Sequence, residues 1–175
     1  MVYTEPACGA KWVEVGILFP TWDKNKPEVG DAEHMFLGEY THTIDEKGRL
    51  TLPAKYRTDL ASGVVVTRGL DKCLVVFPME EWRKLSDKVD ALPLTDMQAR
   101  EFRRLLFSGA VDAELDKQGR VLLPQYLREY AGLNGNVIVT GLNTHMEIWA
   151  PEAWNTIRAN LDSAANVEQW ARLGI

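Results

Sequence analysis

The chain has 175 residues, a length that suits one domain or two small ones sharing a core. With 46 % hydrophobic and 26 % charged residues, and no apolar run near the roughly 18 needed to cross a bilayer, it has ordinary globular composition and no visible membrane or export segment. Cys8, Cys73, His34, His42 and His145 are scattered, which argues against a disulfide framework or structural zinc, calls for no cofactor and favours a reducing, cytoplasmic home, while a net charge of −5 at first argues against nucleic acid.

In chain order, residues 1–34 come first. They hold three lysines against six acids, so the rest of the chain carries only about −2. Salt screens charges beyond about 8–10 Å, so local clusters matter more than the total. Pro6, Pro20 and Pro27 interrupt this segment, whereas Met35-Phe36-Leu37-Gly38 looks like a natural beginning. We expect residues 1–34 to lie outside the fold, as an extension that a start codon placed too early would produce.

From Tyr40 to Ile44 polar and apolar residues alternate, as in a half-buried strand. Asp45-Glu46-Lys47-Gly48 is a turn and Arg49–Leu52 a returning strand. Pro53 opens a short helix over Ala54–Leu60. Val64–Val66 and Leu74–Phe77 form a second hairpin around Gly69–Lys72, and Met79–Val89 is a helix with Trp82 and Leu85 on one face. Thr95–Phe107 reads as a connecting helix, capped by Thr95 with Gln98 three residues on. Strands follow near Ala110–Leu115, Arg120–Leu123, Asn136–Thr140 and Met146–Trp149, with helices near Gln125–Ala131 and Pro151–Leu161. Residues 163–175 read as an exposed helix striped by Val167, Trp170 and Leu173.

The same order of elements occurs twice because the sequence repeats. Ile44-Asp45-Glu46-Lys47-Gly48-Arg49-Leu50-Thr51-Leu52-Pro53 matches Leu115-Asp116-Lys117-Gln118-Gly119-Arg120-Val121-Leu122-Leu123-Pro124 at an offset of 71, and Arg57 matches Arg128. Val64–Thr67 matches Val137–Thr140 and Trp82 matches Trp154 at offsets of 73 and 72. Two copies are too few for a solenoid and suit a pseudo-symmetric pair. The organisation is therefore an extension over 1–34, a first repeat over 35–90, a connecting helix over 91–106, a second repeat over 107–162 and a C-terminal helix over 163–175.

Asp45-x-x-x-Arg49 and Asp116-x-x-x-Arg120 are the distinctive residues, and they admit two readings. An arginine beside a turn can offer its planar fork to guanine O6 and N7 or to phosphate. Alternatively, the aspartate pairs with the arginine and merely holds the turn. Lys47, Lys55 and Arg57 join Arg49 as four cations within eleven residues, able to neutralise phosphates or to form a solvated face. Arg100, Arg103 and Arg104 suit a solvated or subunit-facing stripe. Trp82, Trp149 and Trp154 suit core packing rather than base stacking. The glycines do not compose a phosphate loop, and no hydrolase, zinc-protease or cysteine–histidine constellation is present. The chain reads as a non-enzyme.

These motifs, with Met35-Phe36-x-Gly38 and the paired Gly-Arg-x-x-Leu-Pro segments, resemble the MraZ family of bacterial regulators over residues 35–162. The resemblance implies an α+β fold of two AbrB-like swapped-hairpin β-barrel halves with short helices and a connecting helix. It implies a ring-like homo-oligomer in the cytoplasm, on the nucleoid, binding short G-containing direct repeats of double-stranded promoter DNA. It further implies repression of a division and cell-wall gene cluster, with DNA contact carried chiefly by Arg49 and by Arg120 in the second copy. Asp45, Asp116, Lys47, Lys55 and Arg57 complete the expected DNA site. Gln118 in place of Lys47 predicts a less basic, weaker second motif. The alternative is a protein-interaction or scaffold ring that binds no specific DNA. Mass spectrometry of the native N-terminal peptide tests the start-site expectation: a peptide beginning at Met35 is expected, and one beginning at Met1 removes the idea.

Overall fold

The computed structural model describes residues 35–161 and Trp170. The expectations for 1–34 and for the 163–175 helix lie outside the described residues, Trp170 apart. The strands are β1 (Phe36–Thr43), β2 (Arg49–Thr51), β3 (Val64–Arg68), β4 (Leu74–Pro78), β5 (Val111–Ala113), β6 (Arg120–Leu122), β7 (Asn136–Asn143) and β8 (Met146–Trp149). The helices are α1 (Met79–Asp90), α2 (Met97–Gly109), α3 (Gln125–Tyr130) and α4 (Pro151–Leu161), with a single 3-10 turn at Ala54–Tyr56. This is the α+β architecture expected.

The strand partners differ from the simple reading of out-and-back hairpins. β1 and β2 do not form a ladder with each other; a lone Ile44–Leu50 bridge joins them. β1 pairs with β7, β2 with β6, β3 with β5, and β4 with β8, each time across the two repeats. Among the described strands, only β3–β4 and β7–β8 pair inside a repeat. The large sheet runs β1-β7-β8-β4-β3-β5, and β2-β6 stands apart as a two-stranded ribbon. Exchanging the repeats maps this order onto its own reverse. Leu50 opposite Val121 in the ribbon, and Val75 opposite Glu147 in the sheet, mark the pseudo-two-fold axis.

Burial explains the pairing. Leu50, Leu52, Val121 and Leu123 from the two turns share one core with Val64, Val66, Leu74 and Val76 of one repeat and Val137, Val139, Met146 and Ile148 of the other. β3 is buried along Val64, Val65, Val66 and Thr67, as a β-branched strand covered on both faces should be. On the outer face, Cys73, Val75 and Trp149 pack with Trp154 and Ile157 of α4. Trp149 is core, as expected, while Trp82 and Trp154 are half-buried.

Two local expectations are corrected. The helix read over Ala54–Leu60 is one 3-10 turn followed by isolated turns, because Lys55, Tyr56 and Arg57 are tied by their side chains to carbonyls outside it. The cap of α2 is Asp96, not Thr95: its carboxylate accepts from Gln98 N–H at 2.8 Å, and a full charge suits the helix N-terminus better than a hydroxyl.

Since β1 and β2 find their partners in the second repeat, a fragment of residues 35–90 is expected to lack a cooperative thermal transition by circular dichroism. Mixing it with residues 91–175 should restore one. A fragment that melts cooperatively alone would show that the repeats are independent.

Candidate nucleic-acid interface

Each Asp-x-x-x-Arg segment folds as a turn closed by its own aspartate. Asp45 Oδ1 accepts from the N–H of Lys47 at 3.0 Å and of Arg49 at 2.9 Å, and Oδ2 accepts from Arg49 Nε at 2.8 Å. Arg49 Nη2 lies 2.7 Å from the same oxygen. The second copy is built identically. Asp116 Oδ1 accepts from Gln118 and Arg120 N–H at 2.9 and 3.0 Å, and Oδ2 meets Arg120 Nε at 2.7 Å and Nη2 at 2.6 Å. Gly48 and Gly119 supply the positive φ the turns need, +80° and +75°.

The clamp does not seal the arginines. Arg49 and Arg120 side chains keep 31 % and 23 % of their surface, and their aspartates 35 % and 36 %. The carboxylate takes Nε and Nη2, and among the described residues Nη1 of Arg49 makes no hydrogen bond. Arg120 Nη1 lies 4.0 Å from Asp45 Oδ2, so the second arginine reaches the first turn. The two sequence readings thus merge in the geometry, since the aspartate orients a fork that still faces outward.

The ribbon brings the motifs together. Arg49 lies opposite Leu122 and Arg120 opposite Thr51, while Leu50 and Val121 point to the core. Both arginines therefore stand on one outer face as diagonal neighbours, with about 7–8 Å between backbones in such a ladder. Leu122 is 56 % exposed between them. Lys47 and Lys117 are exposed at the two turns.

Charge at the turns corrects the expectation that the second motif is less basic. Glu46 cancels Lys47 in the first, whereas Lys117 stands where Glu46 does and leaves the second turn one charge more positive. Comparing only Lys47 with Gln118 missed Lys117, one residue earlier in the same alignment.

Two other expected cations sit elsewhere. Lys55 Nζ donates to the Leu37 carbonyl at 2.6 Å and lies 4.9 and 4.8 Å from the Tyr40 and Tyr56 ring centres, at the far end of β1 from the first turn. The Tyr40 hydroxyl beside it holds the ammonium above its usual pKa. Arg57 donates to the Leu52 carbonyl and lies against Gly119 of the second turn, not beside Arg49. Arg128, the repeat match of Arg57, holds the corresponding place against Gly48. Arg103 is no solvated stripe: its Nη2 donates to the carbonyls of Val89, Asp90 and Leu92 at the end of α1. Arg100 likewise donates to Leu94 and Thr95 carbonyls.

Among the described residues no group of three His, Cys, Asp or Glu side chains could hold a metal ion, and no helix is long and apolar enough to cross a membrane. The fold and site define a duplicated α+β protein that offers a paired-arginine surface. A family model described as "MraZ protein, putative antitoxin-like" matches residues 35–105 and again 106–173. Proteins named transcriptional regulator MraZ are similar along most of their length. That of Roseiflexus sp. (strain RS-1) is 52 % identical over 133 residues, 76 % of this chain and 93 % of the relative. That of Herpetosiphon aurantiacus is 53 % identical over 132 residues, 75 % and 90 %. That of Carboxydothermus hydrogenoformans is 54 % identical over 121 residues, 69 % and 85 %. The chain belongs to the MraZ family, a family of transcriptional regulators and not of enzymes.

Arg120 beside Asp116 pulls its carboxyl pKa from 3.8 down to about 2, and Arg49 lowers that of Asp45. A carboxylate whose pKa falls on folding stabilises above its unfolded value and loses that contribution as pH drops through the folded one. The Asp116 contribution is therefore expected intact above about pH 4 and lost towards pH 2. Carboxyl NMR titration should give a midpoint near 2 for Asp116, rising towards 3.8 in Arg120→Ala. An unshifted midpoint in the parent protein would contradict the clamp.

Proposed function

We propose that this chain is a sequence-specific DNA-binding transcription regulator that reads duplex DNA with the β2–β6 ribbon. The observation that carries the reading is the convergence of both Asp–Arg turns on one outward ribbon face. A two-stranded β-ribbon fits the major groove, which is about 12 Å wide. An arginine fork held by Nε and Nη2 keeps its remaining edge for a guanine or a phosphate. Arg49 and Arg120, oriented by Asp45 and Asp116, are the proposed readers. Lys47 and Lys117 hold phosphates on either side. Lys55 and Arg57, from their observed places, support the framework and not the contact itself.

The cross-repeat pairings support an AbrB-like swapped-hairpin arrangement with both halves in one chain, residues 35–90 and 107–162 flanking the connecting helix and residues 1–34 lying outside. The proposed target is a set of short direct repeats in promoter DNA before a division and cell-wall gene cluster that the protein represses, in the cytoplasm and on the nucleoid. A ring-like homo-oligomer multiplies weak single contacts through effective concentration, which lets a net-acidic chain hold DNA.

A gel shift on the protein's own upstream region and on a shuffled duplex tests this. Arg49→Ala should lose about 1–3 kcal/mol on the specific duplex and little on the shuffled one. Lys47→Ala should weaken both alike and reduce the salt slope by about one. Equal, weak binding of the parent protein to both duplexes would favour the scaffold ring instead.

A further inference from the structure

The two arginines that follow the motifs, Arg57 and Arg128, each bond a carbonyl of their own repeat while lying against the turn of the other. Arg57 belongs to the first repeat, yet its side chain lies on Gly119 of the second turn, where a methyl group would overlap Nε, Cδ and Cζ. Its Nε and Nη2 donate to the Leu52 carbonyl at 3.3 and 3.2 Å, and Leu52 N–H donates to the Gly119 carbonyl at 3.0 Å. The second copy mirrors this. Arg128 Nε donates to the Leu123 carbonyl at 3.1 Å, Leu123 N–H donates to the Gly48 carbonyl at 2.9 Å, and a methyl on Gly48 would come within 3.2 Å of Arg128 Nε.

We infer that Arg57 and Arg128 are positioning residues, each seating the Asp–Arg turn of the repeat to which it does not belong. The inference deepens the proposed DNA-reading role of these turns and rests on it. The geometry requires a flat, always-charged group that slides along a glycine backbone while bonding a neighbouring carbonyl, which arginine supplies and lysine does not. It occurs twice in one chain at the repeat offset, although the intervening residues differ: Lys55 and Tyr56 in one copy, Tyr126 and Leu127 in the other. Both side chains are half-buried, so they serve the turns from beneath. The two readers are thereby coupled, because neither turn keeps its seat without the other repeat's arginine. The seat is tighter at Gly119 than at Gly48.

Hydrogen exchange on the full chain, without DNA, tests the crossing directly. Arg57→Ala should speed exchange at Gln118, Gly119 and Arg120, about tenfold, and leave Lys47–Arg49 little changed; Arg128→Ala should do the reverse. Arg57→Lys should behave like Arg57→Ala. Exchange that rises in the variant's own repeat, or uniformly, or that lysine fully restores, overturns the inference. If Arg57→Ala weakens the fold, its double variant with Gly119→Ala keeps the question open to test. The pair should melt higher than the summed single losses predict, and strict additivity counts against the contact. On the upstream duplex, Arg57→Ala should bind about tenfold more weakly, as when a supporting contact behind a ligand is removed, with an unchanged salt slope. A slope reduced by about one would make Arg57 a phosphate contact and overturn the assignment. A parent protein that binds no duplex overturns the DNA reading, while the exchange pattern still judges the seating alone.

Discussion

The ribbon between β2 and β6 is the constraint on which the site depends. Each strand has three residues and, among the described residues, no other ladder partner, so each depends on the other repeat for its ladder. Leu50 and Val121 anchor the ribbon on the axis with no surface left exposed, and the period of two along a strand then fixes everything else. If those two point inward, Arg49, Thr51, Arg120 and Leu122 must point outward. The placement of both arginines on one face follows from burying two aliphatic side chains.

Electrostatics act within this frame and not in place of it. The aspartates are exposed partners, and exposed ion pairs add little to stability. Their value is geometric: one carboxylate satisfies two turn N–H groups and holds two guanidinium nitrogens at once. The negative net charge of the chain is consistent with this local design, since the two turns, with Lys47, Arg49, Lys117 and Arg120 against Asp45, Glu46 and Asp116, are slightly positive while most acids lie elsewhere.

Much of this was legible in the residues. The repeat located both turns, and alternation around Tyr40–Ile44 and the runs Val64–Val66 and Leu74–Phe77 gave the strands. Strand identity does not name a partner, however: alternation states which face is buried but not which strand lies alongside. So alternation alone does not give the crossing of β1 to β7 and β2 to β6; of the sequence readings, only the family resemblance, with its swapped hairpins, implies exchange between the repeats. The same gap explains Lys55 and Arg57. Four cations close in sequence looked like one cluster, but Lys55 bonds the Leu37 carbonyl, and Arg57 bonds the Leu52 carbonyl and packs on the opposite turn. Arg128 has the acidic neighbour Glu129 in the sequence, but its contact with Gly48, set by tertiary packing, decides its place.

The near-palindromic strand order has a consequence for polarity. A reader with perfect two-fold symmetry would sit equally well on a stretch of duplex in either direction and could not tell head from tail. The direct repeats proposed as the target require that the two be told apart, since every unit must face the same way. The departures from symmetry supply the arrow: Glu46 against Lys117, Lys47 against Gln118, and Thr51 against Leu122 across the same ribbon. Small differences between two inherited copies give the ribbon two distinguishable ends.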